Sequence, residues 1–476
     1  MPHGPTTSSK NGVTLPPLRP GPHQRRMDTV AVVATFGGLL FGYDTGVLNG
    51  ALEPMQKDLG LDSVTEGLVV SILLIGAAIG SLVIGRMSDT LGRKNTLTVL
   101  AVIFLVGTLG TVFAPNLGVI LPARLVLGLA VGGASVAVPV YLSELAPTER
   151  RGRLGGRNEL AIVVGQMLAF VFNAVIAGIW GDHDGIWRYM LAVCALPAVA
   201  LFVGMLRMPE TPRWLVSKGR YDEALAVLMQ VRTEDRARAE MAEVEHLAGE
   251  EEESQTGGIR DLAIPWVRRL LLAAIVIAVA QQFTGVNSVM YYGTQLLQVA
   301  GFSQNAAPIA NISLGVMAVI GGAICLFVLI DRIPRRKIII MGLVGTTICH
   351  GLIVLSSALL PDGKFRAFTI LGFVALLVLV IQITLNVPVW VCLSELFPLR
   401  MRGFGMGVGV LVLWLANALV AQSFPTLVSI GGITGTYGTF FVLGAVFSFL
   451  AWKTLPNTSG RSLEELEEAF MRGDLR

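Results

Sequence analysis

Charged residues are scarce in this chain. Asp, Glu, Lys and Arg make up only 14% of its 476 residues, whereas roughly a quarter is usual in soluble domains. Apolar residues reach 53%, and the mean hydropathy is +0.67. This balance argues against a string of soluble domains and predicts a protein that crosses a membrane many times. The net charge is only +3, and the positively charged residues lie mostly on one side of the expected membrane topology. The charge therefore does not indicate a nucleic-acid partner.

Cysteine is also rare, and its spacing excludes two kinds of site. The four cysteines all lie inside apolar stretches and show no paired spacing, which makes a disulfide framework or a zinc site improbable. The sequence has no Walker phosphate loop, no metal-ligand cluster and no nucleophile with a base at a suitable spacing. We therefore expect no metal, no cofactor and no enzymatic activity. Glycine-rich runs such as GLAVGGAS lie within apolar stretches, where glycine lets helices approach closely.

The apolar residues are grouped into long stretches. Twelve stretches of about 20 residues recur, each long enough to cross roughly 30 Å of hydrocarbon as a helix. We predict an all-α polytopic membrane protein with twelve transmembrane helices in two six-helix bundles. The expected spans lie near 28–50, 66–86, 95–114, 118–141, 159–180, 187–206, 267–293, 308–330, 338–360, 367–393, 404–423 and 436–455.

The remaining stretches fix the expected domain boundaries. Residues 1–27 are rich in Pro, Gly and Ser and lack an apolar core, which predicts a disordered leader and not a cleavable signal peptide. The bundles are expected over 28–206 and 266–455. Between them, 207–265 is polar with helical apolar spacing and predicts a helical linker. Residues 456–476 form a polar tail.

Lys and Arg lie mostly on one side of this topology. With both termini inside, the outer loops hold only Lys57, Arg188, Lys364 and Arg366. Cytoplasmic loops retain cations, so we expect both termini in the cytoplasm. For each inner basic cluster, a role in topology alone is the alternative to a specific function.

Two stretches of the sequence repeat each other. YLSELAPTERRG (141–152) and CLSELFPLRMRG (392–403) both close the fourth span of a half. DTLGRK (89–94) and DRIPRRK (331–337) both follow the second span, and MPETPRW and LPNTSGR follow spans six and twelve. Three echoes in the same order indicate a duplicated unit, as in many transporters.

The repeat carries charges that we expect to meet on the cytoplasmic side. Each copy pairs a Glu with an Arg seven residues later, and each pair is expected to dock against the charges at 89–94 or 331–337. Such a network would latch the inner side while the protein faces outward. The residues assigned to it are Asp89, Arg93, Glu144, Arg151, Glu210, Asp331, Arg335, Glu395 and Arg402.

Six motifs together resemble the sugar porter family of the major facilitator superfamily: GRMSDTLGRK, PVYLSELAPTERRGR, MPETPRWLVSKGR, QQFTGVNSVMYY, VWVCLSELFPLRMRG and LPNTSGRSLEELE. Within that family, TFGGLLFGYDTGVLNGAL and GVNSVMYYGT look most like bacterial myo-inositol/proton symporters. The resemblance implies a monomer in a bacterial plasma membrane that takes up a cyclic polyol or monosaccharide by alternating access. It implies protons as the coupling ion. A hexose or pentose symporter, a facilitative uniporter and a sensor on the same scaffold are the alternatives.

Two charges inside the spans are candidates for proton coupling. Asp44 lies about 15 residues, roughly 22 Å, above the inner end of span one, and Arg124 about 6 residues, roughly 9 Å, below the outer end of span four. In a core about 30 Å thick they fall at nearly the same height and can pair. Proton-coupled sugar porters use an Asp and an Arg in these spans, so the resemblance assigns both residues that role. A buried ion pair that only fixes helix packing is the alternative.

A polyol site needs groups that both donate and accept hydrogen bonds without charge. Gln and Asn meet this need, and aromatic faces suit the C–H side of a ring. The resemblance places eight residues at sugar-contacting positions: Gln166, Gln281, Gln282, Asn287, Tyr291, Trp390, Trp414 and Asn417. The sequence departs from the family pattern at Val319 and Leu413, where many members have amides, and at Pro334 and Asn457 in the inner network. His350 is expected to be a packing residue, with a proton role as the alternative.

Overall fold

The computed structural model describes residues 7–8, 14–18, 21–181, 183–253, 264–330, 332–397 and 399–456. Over these ranges the chain is almost entirely helical. The exception is a two-residue antiparallel pair, β1 (Thr7–Ser8) with β2 (Thr14–Leu15). The all-α membrane fold predicted from the sequence is confirmed.

The first half contains the helices of six membrane crossings. α6 and α7 together form the sixth crossing, Ile186–Leu206. The helices are α1 (Pro22–Leu59), α2 (Ser63–Leu91), α3 (Arg93–Val112), α4 (Leu117–Leu145), α5 (Arg151–Trp180), α6 (Ile186–Ala192) and α7 (Ala195–Leu206). α1 begins at Pro22, inside the stretch expected to be a leader, because proline suits the first turn of a helix.

Three shorter helices follow as the predicted linker: α8 (Pro212–Ser217), α9 (Tyr221–Val231) and α10 (Glu234–Glu253). The second half then contains α11 (Pro265–Phe283), α12 (Val286–Ala300), α13 (Ala306–Ile324), α14 (Arg335–Leu359), α15 (Lys364–Ile381), α16 (Val387–Glu395) and α17 (Leu399–Thr454). π-helical turns at Cys325–Leu329 and Gln382–Asn386 extend α13 and join α15 to α16.

Eleven helical segments of the described chain are long and apolar enough to cross a membrane. The last of them, Phe404–Thr454, has 51 residues, twice the length that one crossing needs. Non-helical backbone at Gly432 (φ 57°, ψ −159°) divides it, close to the gap expected between spans eleven and twelve. The segment therefore supplies two crossings, and the total is twelve.

Large apolar side chains cover the outside of the bundle. Ile430 is 83% exposed and Phe113 is 76% exposed. In water such a surface would drive aggregation, whereas a bilayer solvates it. The exposed apolar surface is therefore the lipid-facing side of the bundle.

Glycine sets the distance between α1 and α5. Gly42 and Gly46 lie one turn apart on α1 and face the backbone of α5. A Cβ at Gly42 would overlap the Ile162 carbonyl, and one at Gly46 would lie 2.8 Å from the Gln166 carbonyl oxygen. The two helices therefore pack backbone against backbone, which holds the middle of α1 in a fixed position.

Hydrogen bonds between described side chains join the two halves on one side of the bundle. The Asn49 side-chain oxygen in α1 accepts from the Thr294 N–H and hydroxyl at 2.7 and 2.6 Å. Glu66 in α2 accepts from Gln295 at 2.5 Å. Further pairs are Glu53 with Gln298 and Gln304, and Ser71 with Gln422. The predicted topology puts this side of the bundle outside the cell.

Candidate functional site

One ion pair is buried inside the first half. Asp44 in α1 is 2% exposed and Arg124 in α4 is 0% exposed, with Asp44 Oδ1 and Arg124 Nη1 3.9 Å apart. Arg124 Nε donates to the Val69 backbone carbonyl at 2.7 Å. Within the described residues, Asp44 Oδ1 and both Nη atoms of Arg124 make no hydrogen bond. The two residues, which were predicted to lie at the same height in the membrane, are thus close to each other but loosely paired.

This geometry suits a reversible proton site. An ionised carboxylate out of contact with water is costly unless a cation or a proton neutralises it. Asp44 has both options, because the distance to Arg124 is at the limit of an ion pair. A protonated Asp44 would release Arg124, and an ionised one would hold it, so protonation can favour one arrangement of helices over another.

The amides of the seventh crossing lie on both sides of a helix break. α11 ends at Phe283 and α12 begins at Val286, with Gly285 in the left-handed region (φ 69°). Gln282 Oε1 accepts from Asn287 Nδ2 at 2.7 Å, and Gln282 Nε2 donates to Gln281 Oε1 at 3.3 Å. The structure brings these three predicted residues into one hydrogen-bonded cluster.

Aromatic and amide groups from α17 face α12 and α1. Asn417 Nδ2 donates to the Tyr291 hydroxyl at 3.3 Å. The Trp414 ring packs against Phe41 of the first half, with ring centroids 5.5 Å apart. Trp414 Nε1 and Asn417 Oδ1 are buried without a hydrogen-bond partner in the described residues. Orphaned polar atoms beside an aromatic face are the groups that a polyol would satisfy.

The two remaining predicted residues are less closely integrated. Gln166 in α5 is 6% exposed, and its Oε1 has no hydrogen-bond partner in the described chain. Trp390 in α16 is half-buried and packs against the hydrophobic core. At the positions where the family pattern has amides, Leu413 is buried and Val319 is half-buried among apolar side chains.

Sequence reasoning missed a second amide pair. Asn386 Nδ2 donates to Gln382 Oε1 at 2.9 Å across the π-helical turn between α15 and α16. Gln281 Nε2 approaches the Leu385 carbonyl of the same turn at 3.5 Å, so the pair adjoins the amide cluster. A signal was present, because QITLN places two amides four residues apart within an apolar run.

In the first half, four of the charged residues predicted to form the cytoplasmic network contact one another. Arg93 donates to both carboxylate oxygens of Glu144, at 3.0 to 3.2 Å, and Nη1 of Arg93 is 3.0 Å from Asp89. Glu210 accepts from the backbone N–H groups of Arg93, Lys94 and its own neighbour at 2.9 to 3.0 Å. Partial burial nevertheless raises the pKa of Glu210 above its ordinary value.

The second-half counterpart of the network is only partly described. Arg335 donates to the Ile330 carbonyl at 2.7 Å. Asp331 and the side chains of Glu395 and Arg402, together with that of Arg151 in the first half, lie outside the described part of the chain. Their assignment to the network stays a prediction.

A cavity of about 200 Å³ lies away from these sites, between the start of α1, the α4–α5 turn and the linker helices. Three arginines line it, but their charges are matched. Arg150 pairs with Asp28, Arg232 with Glu240, and Arg236 with Glu149 and Glu240. The cavity is therefore a weak candidate for substrate binding. No group of three metal-ligating side chains occurs among the residues that the structure describes.

Comparisons with known proteins agree on one family. The model of the family described as "Sugar (and other) transporter" matches residues 30–470. The chain is 48% identical over 448 residues to the major myo-inositol transporter IolT of Bacillus subtilis (strain 168), covering 94% of each chain. It is 36% identical over 440 residues to the glucose transporter GlcP of Staphylococcus epidermidis, covering 92% of this chain and 96% of GlcP.

Among solved structures, the chain is similar to the xylose transporter XylE from E. coli. The partially occluded inward-open form matches with a TM-score of 0.79 and 27% identity, over 92% of this chain and all of XylE. A form described as a major facilitator superfamily proton:xylose symporter, bound to 6-bromo-6-deoxy-D-glucose, matches with a TM-score of 0.77 and 28% identity. That match covers 94% of this chain and 99% of XylE.

Proposed function

Since the chain belongs to the sugar transporter family of the major facilitator superfamily, we propose that it takes up a cyclic polyol, myo-inositol, together with protons. Uptake proceeds by alternating access across the plasma membrane of a bacterial cell. Both termini lie in the cytoplasm, the protein works as a monomer, and the proton gradient is the energy source.

The observation that carries proton coupling is the buried pair of Asp44 and Arg124. A passive uniporter has no need for an ionisable pair at such a depth, and burying one is costly. The 3.9 Å separation leaves room for a proton on Asp44 in place of the ion pair. XylE, a proton symporter by its description, is similar over 94% of this chain.

The polyol assignment is supported by the amide cluster beside α17. Gln281, Gln282 and Asn287 offer donors and acceptors without charge, and Trp414 offers a flat apolar face. A cyclohexane polyol presents hydroxyls around its edge and C–H groups on its faces, so it matches both features. The similarity to IolT favours myo-inositol within this class.

Protonation would order the transport cycle. Outside, where protons are abundant, Asp44 takes up a proton, substrate binds to the amides, and the halves rock toward the inward-facing form. Inside, substrate leaves first and the proton follows, because Arg124 attracts Asp44 once it is ionised. The cycle couples the protonation of Asp44 to the equilibrium between the outward-facing and inward-facing forms, and it needs no covalent chemistry.

Uptake of labelled myo-inositol into proteoliposomes tests the proposal. We expect accumulation only when the outside is more acidic than the lumen, and loss of accumulation when an ionophore dissipates the gradient. Unlabelled glucose, fructose, galactose and xylose serve as competitors. Uptake that requires sodium in place of protons would overturn the coupling assignment.

A hexose symporter is the second candidate, because the chain is 36% identical to a glucose transporter. The same competition assay separates the two. Half-maximal competition by glucose at a lower concentration than by unlabelled myo-inositol would assign the protein to hexose uptake. Absence of uptake of both labelled myo-inositol and labelled glucose would exclude both candidates.

A further inference from the structure

The helix break in the seventh crossing leaves a backbone carbonyl without its usual donor. A residue in the left-handed region interrupts the ladder of hydrogen bonds between residues four apart. Gly285 is such a residue, and a Cβ there would meet the Phe440 ring at 2.9 Å. The ladder is restored only from Val289, whose N–H reaches the Gly285 carbonyl at 3.3 Å. The Thr284 carbonyl, one residue earlier, needs a donor from elsewhere.

His350 supplies that donor from α14. Its Nε2 is 3.0 Å from the Thr284 carbonyl oxygen, and the residue is 0% exposed. A carbonyl oxygen can only accept, so Nε2 must carry the proton in this contact. The imidazole ring packs against two aromatic rings of α17, with centroids 5.9 Å from Tyr437 and 5.8 Å from Phe440. One side chain thus ties α14 and α17 to the break.

The break itself sets the geometry of the amide cluster. Gln281 and Gln282 precede it, Asn287 follows it, and the 2.7 Å bond from Asn287 to Gln282 spans it. A change in backbone direction at Thr284 would therefore move the first two amides relative to the third. A shift of 1 Å is enough to weaken a hydrogen-bonded site for a small polar ligand.

We propose that His350 is a positioning residue that sets affinity and selectivity for the transported polyol, by holding the Thr284 carbonyl and thereby the spacing of the amides. The proposal rests on the proposed function in one respect, namely that the amide cluster binds the substrate. It differs from a packing role, in which only the volume of the imidazole beside the aromatic rings matters.

Two substitutions separate hydrogen bonding from volume. His350→Gln keeps a donor that can reach the carbonyl, whereas His350→Phe fills the space without a donor. Tyr437→Phe is the matched control, because the Tyr437 hydroxyl is buried without a hydrogen-bond partner in the described chain and its ring is retained. Each variant is purified, its thermal stability is compared with wild type, and binding of labelled myo-inositol is measured in detergent alongside uptake in proteoliposomes.

We expect His350→Phe to raise both the KM for myo-inositol and the Kd about tenfold, the typical effect of losing one hydrogen bond between the displaced amides and the substrate. The maximal rate should change by less than about twofold, and the ratio of inositol to glucose affinity should fall. His350→Gln should restore KM and selectivity to within about threefold, and Tyr437→Phe should match wild type.

Unchanged KM and selectivity in His350→Phe would overturn the proposal. Equal impairment of the Phe and Gln variants would also overturn it, since volume or imidazole chemistry would then be the cause. Should the Phe variant fail to fold, a Gln variant with wild-type affinity supports the donor role, and one with tenfold weaker affinity refutes it. Wild-type protein that carries glucose and not inositol would refute the proposed substrate while leaving this comparison intact, with glucose as the probe.

Discussion

The two halves of the protein hold their helices together with different atoms. In the first half, many glycines meet the backbone of the neighbouring helix, whereas backbone contacts of this closeness are fewer in the second half. A Cβ at Gly76, Gly80 or Gly132 would lie within 2.5 Å of a carbonyl oxygen on the facing helix, as at Gly42. Backbone carbonyls in helices cannot rotate away, so these contacts are rigid. The glycine spacing of four residues aligns the contacts along one face.

In the second half, the glycines meet side chains. A Cβ at Gly444 would contact the Thr347 hydroxyl, and one at Gly285 would contact the Phe440 ring. Hydroxyls and rings can turn, so such contacts give way. The same half also contains the helix break after Phe283 and two π-helical turns. π-helical turns are locally less regular than an α-helix and often occur at functional sites.

Under the proposed function, this difference separates two tasks of the carrier, proton coupling and substrate binding. The ion pair of Asp44 and Arg124 belongs to the half in which glycines bring helix backbones together, with α1 against α5 and α2 against α4. The amide cluster belongs to the half that can deform, where a bound substrate can adjust the broken helix. We infer that closure around substrate changes the second half more than the first.

The largest expected effect comes from a methyl group at the rigid interface. Gly42→Ala forces α1 away from the Ile162 carbonyl, and we expect a destabilisation of about 3 kcal/mol or more. The folded protein recovered in detergent should fall steeply, as measured by size-exclusion chromatography and thermal unfolding. Gly444→Ala is the matched change in the second half. It displaces only the Thr347 hydroxyl, so we expect less than about 1 kcal/mol.

Equal losses in these two variants would remove the basis of the comparison. Gly372→Ala provides a baseline, because no atom lies within 4 Å of a Cβ built there. Its stability should equal that of the wild type.

The next effect concerns the proton site. Asp44→Asn keeps the shape of the side chain but cannot alternate between ionised and protonated forms. We expect accumulation against a gradient to be abolished, at least about a tenfold loss of the steady-state ratio, while counterflow exchange is partly retained. Uptake and counterflow in proteoliposomes measure the two activities.

Glu66→Gln is the control for removing a buried carboxylate. Glu66 is 4% exposed and accepts from Gln295 at 2.5 Å, and a glutamine oxygen can accept in the same way. We expect accumulation by this variant to stay within about threefold of wild type. Full accumulation by Asp44→Asn would show that the ion pair only stabilises helix packing.

The sequence predicted those parts of the fold and site that depend on local pattern. The lengths of the apolar stretches located twelve crossings. The helical rise per residue placed Asp44 and Arg124 at the same height in the membrane, and in the structure the two side chains are 3.9 Å apart. These properties follow from residue type and spacing along a single helix.

Some contacts between helices distant in sequence escaped prediction. His350 reaches Thr284 across 66 residues, and its position on α14 carries no mark of that partner. The Gln382 and Asn386 pair was missed although two amides four residues apart share one face of a helix.

A smaller effect is expected for the amides of the deformable half. Gln282→Ala removes the group that joins Gln281 to Asn287, and we expect KM for myo-inositol to rise about tenfold with little change in the maximal rate. Gln298→Ala, on the same crossing but at the predicted outer end, should keep KM within about threefold. A larger KM change for Gln298→Ala would move the binding site outward.

The inner network should shift the conformational equilibrium modestly. Glu144→Gln weakens the contact with Arg93, which is partly buried, and we expect inner-side accessibility to rise about threefold. The reporter is Leu326→Cys in a variant whose four native cysteines are replaced by serine. Leu326 lies close to Gly156 of the other half, and the introduced cysteine is labelled with a membrane-impermeant maleimide. Unchanged labelling would mean that the repeated motif acts only in setting the membrane topology.

The smallest expected effect is a dependence of the stability of the first half on pH. Burial raises the pKa of Glu210, so the folded state binds its proton more tightly than the unfolded state. The stability contributed by this proton is fully present below the unfolded pKa and is lost as the pH rises through the raised folded value. Glu210→Gln lacks this titration, so the stability of wild type relative to the variant should decline as the pH rises from about 4.5 toward neutrality. Thermal unfolding in detergent at several pH values measures this difference. A relative stability that increases with pH would mean that the three backbone hydrogen bonds to the carboxylate outweigh its burial.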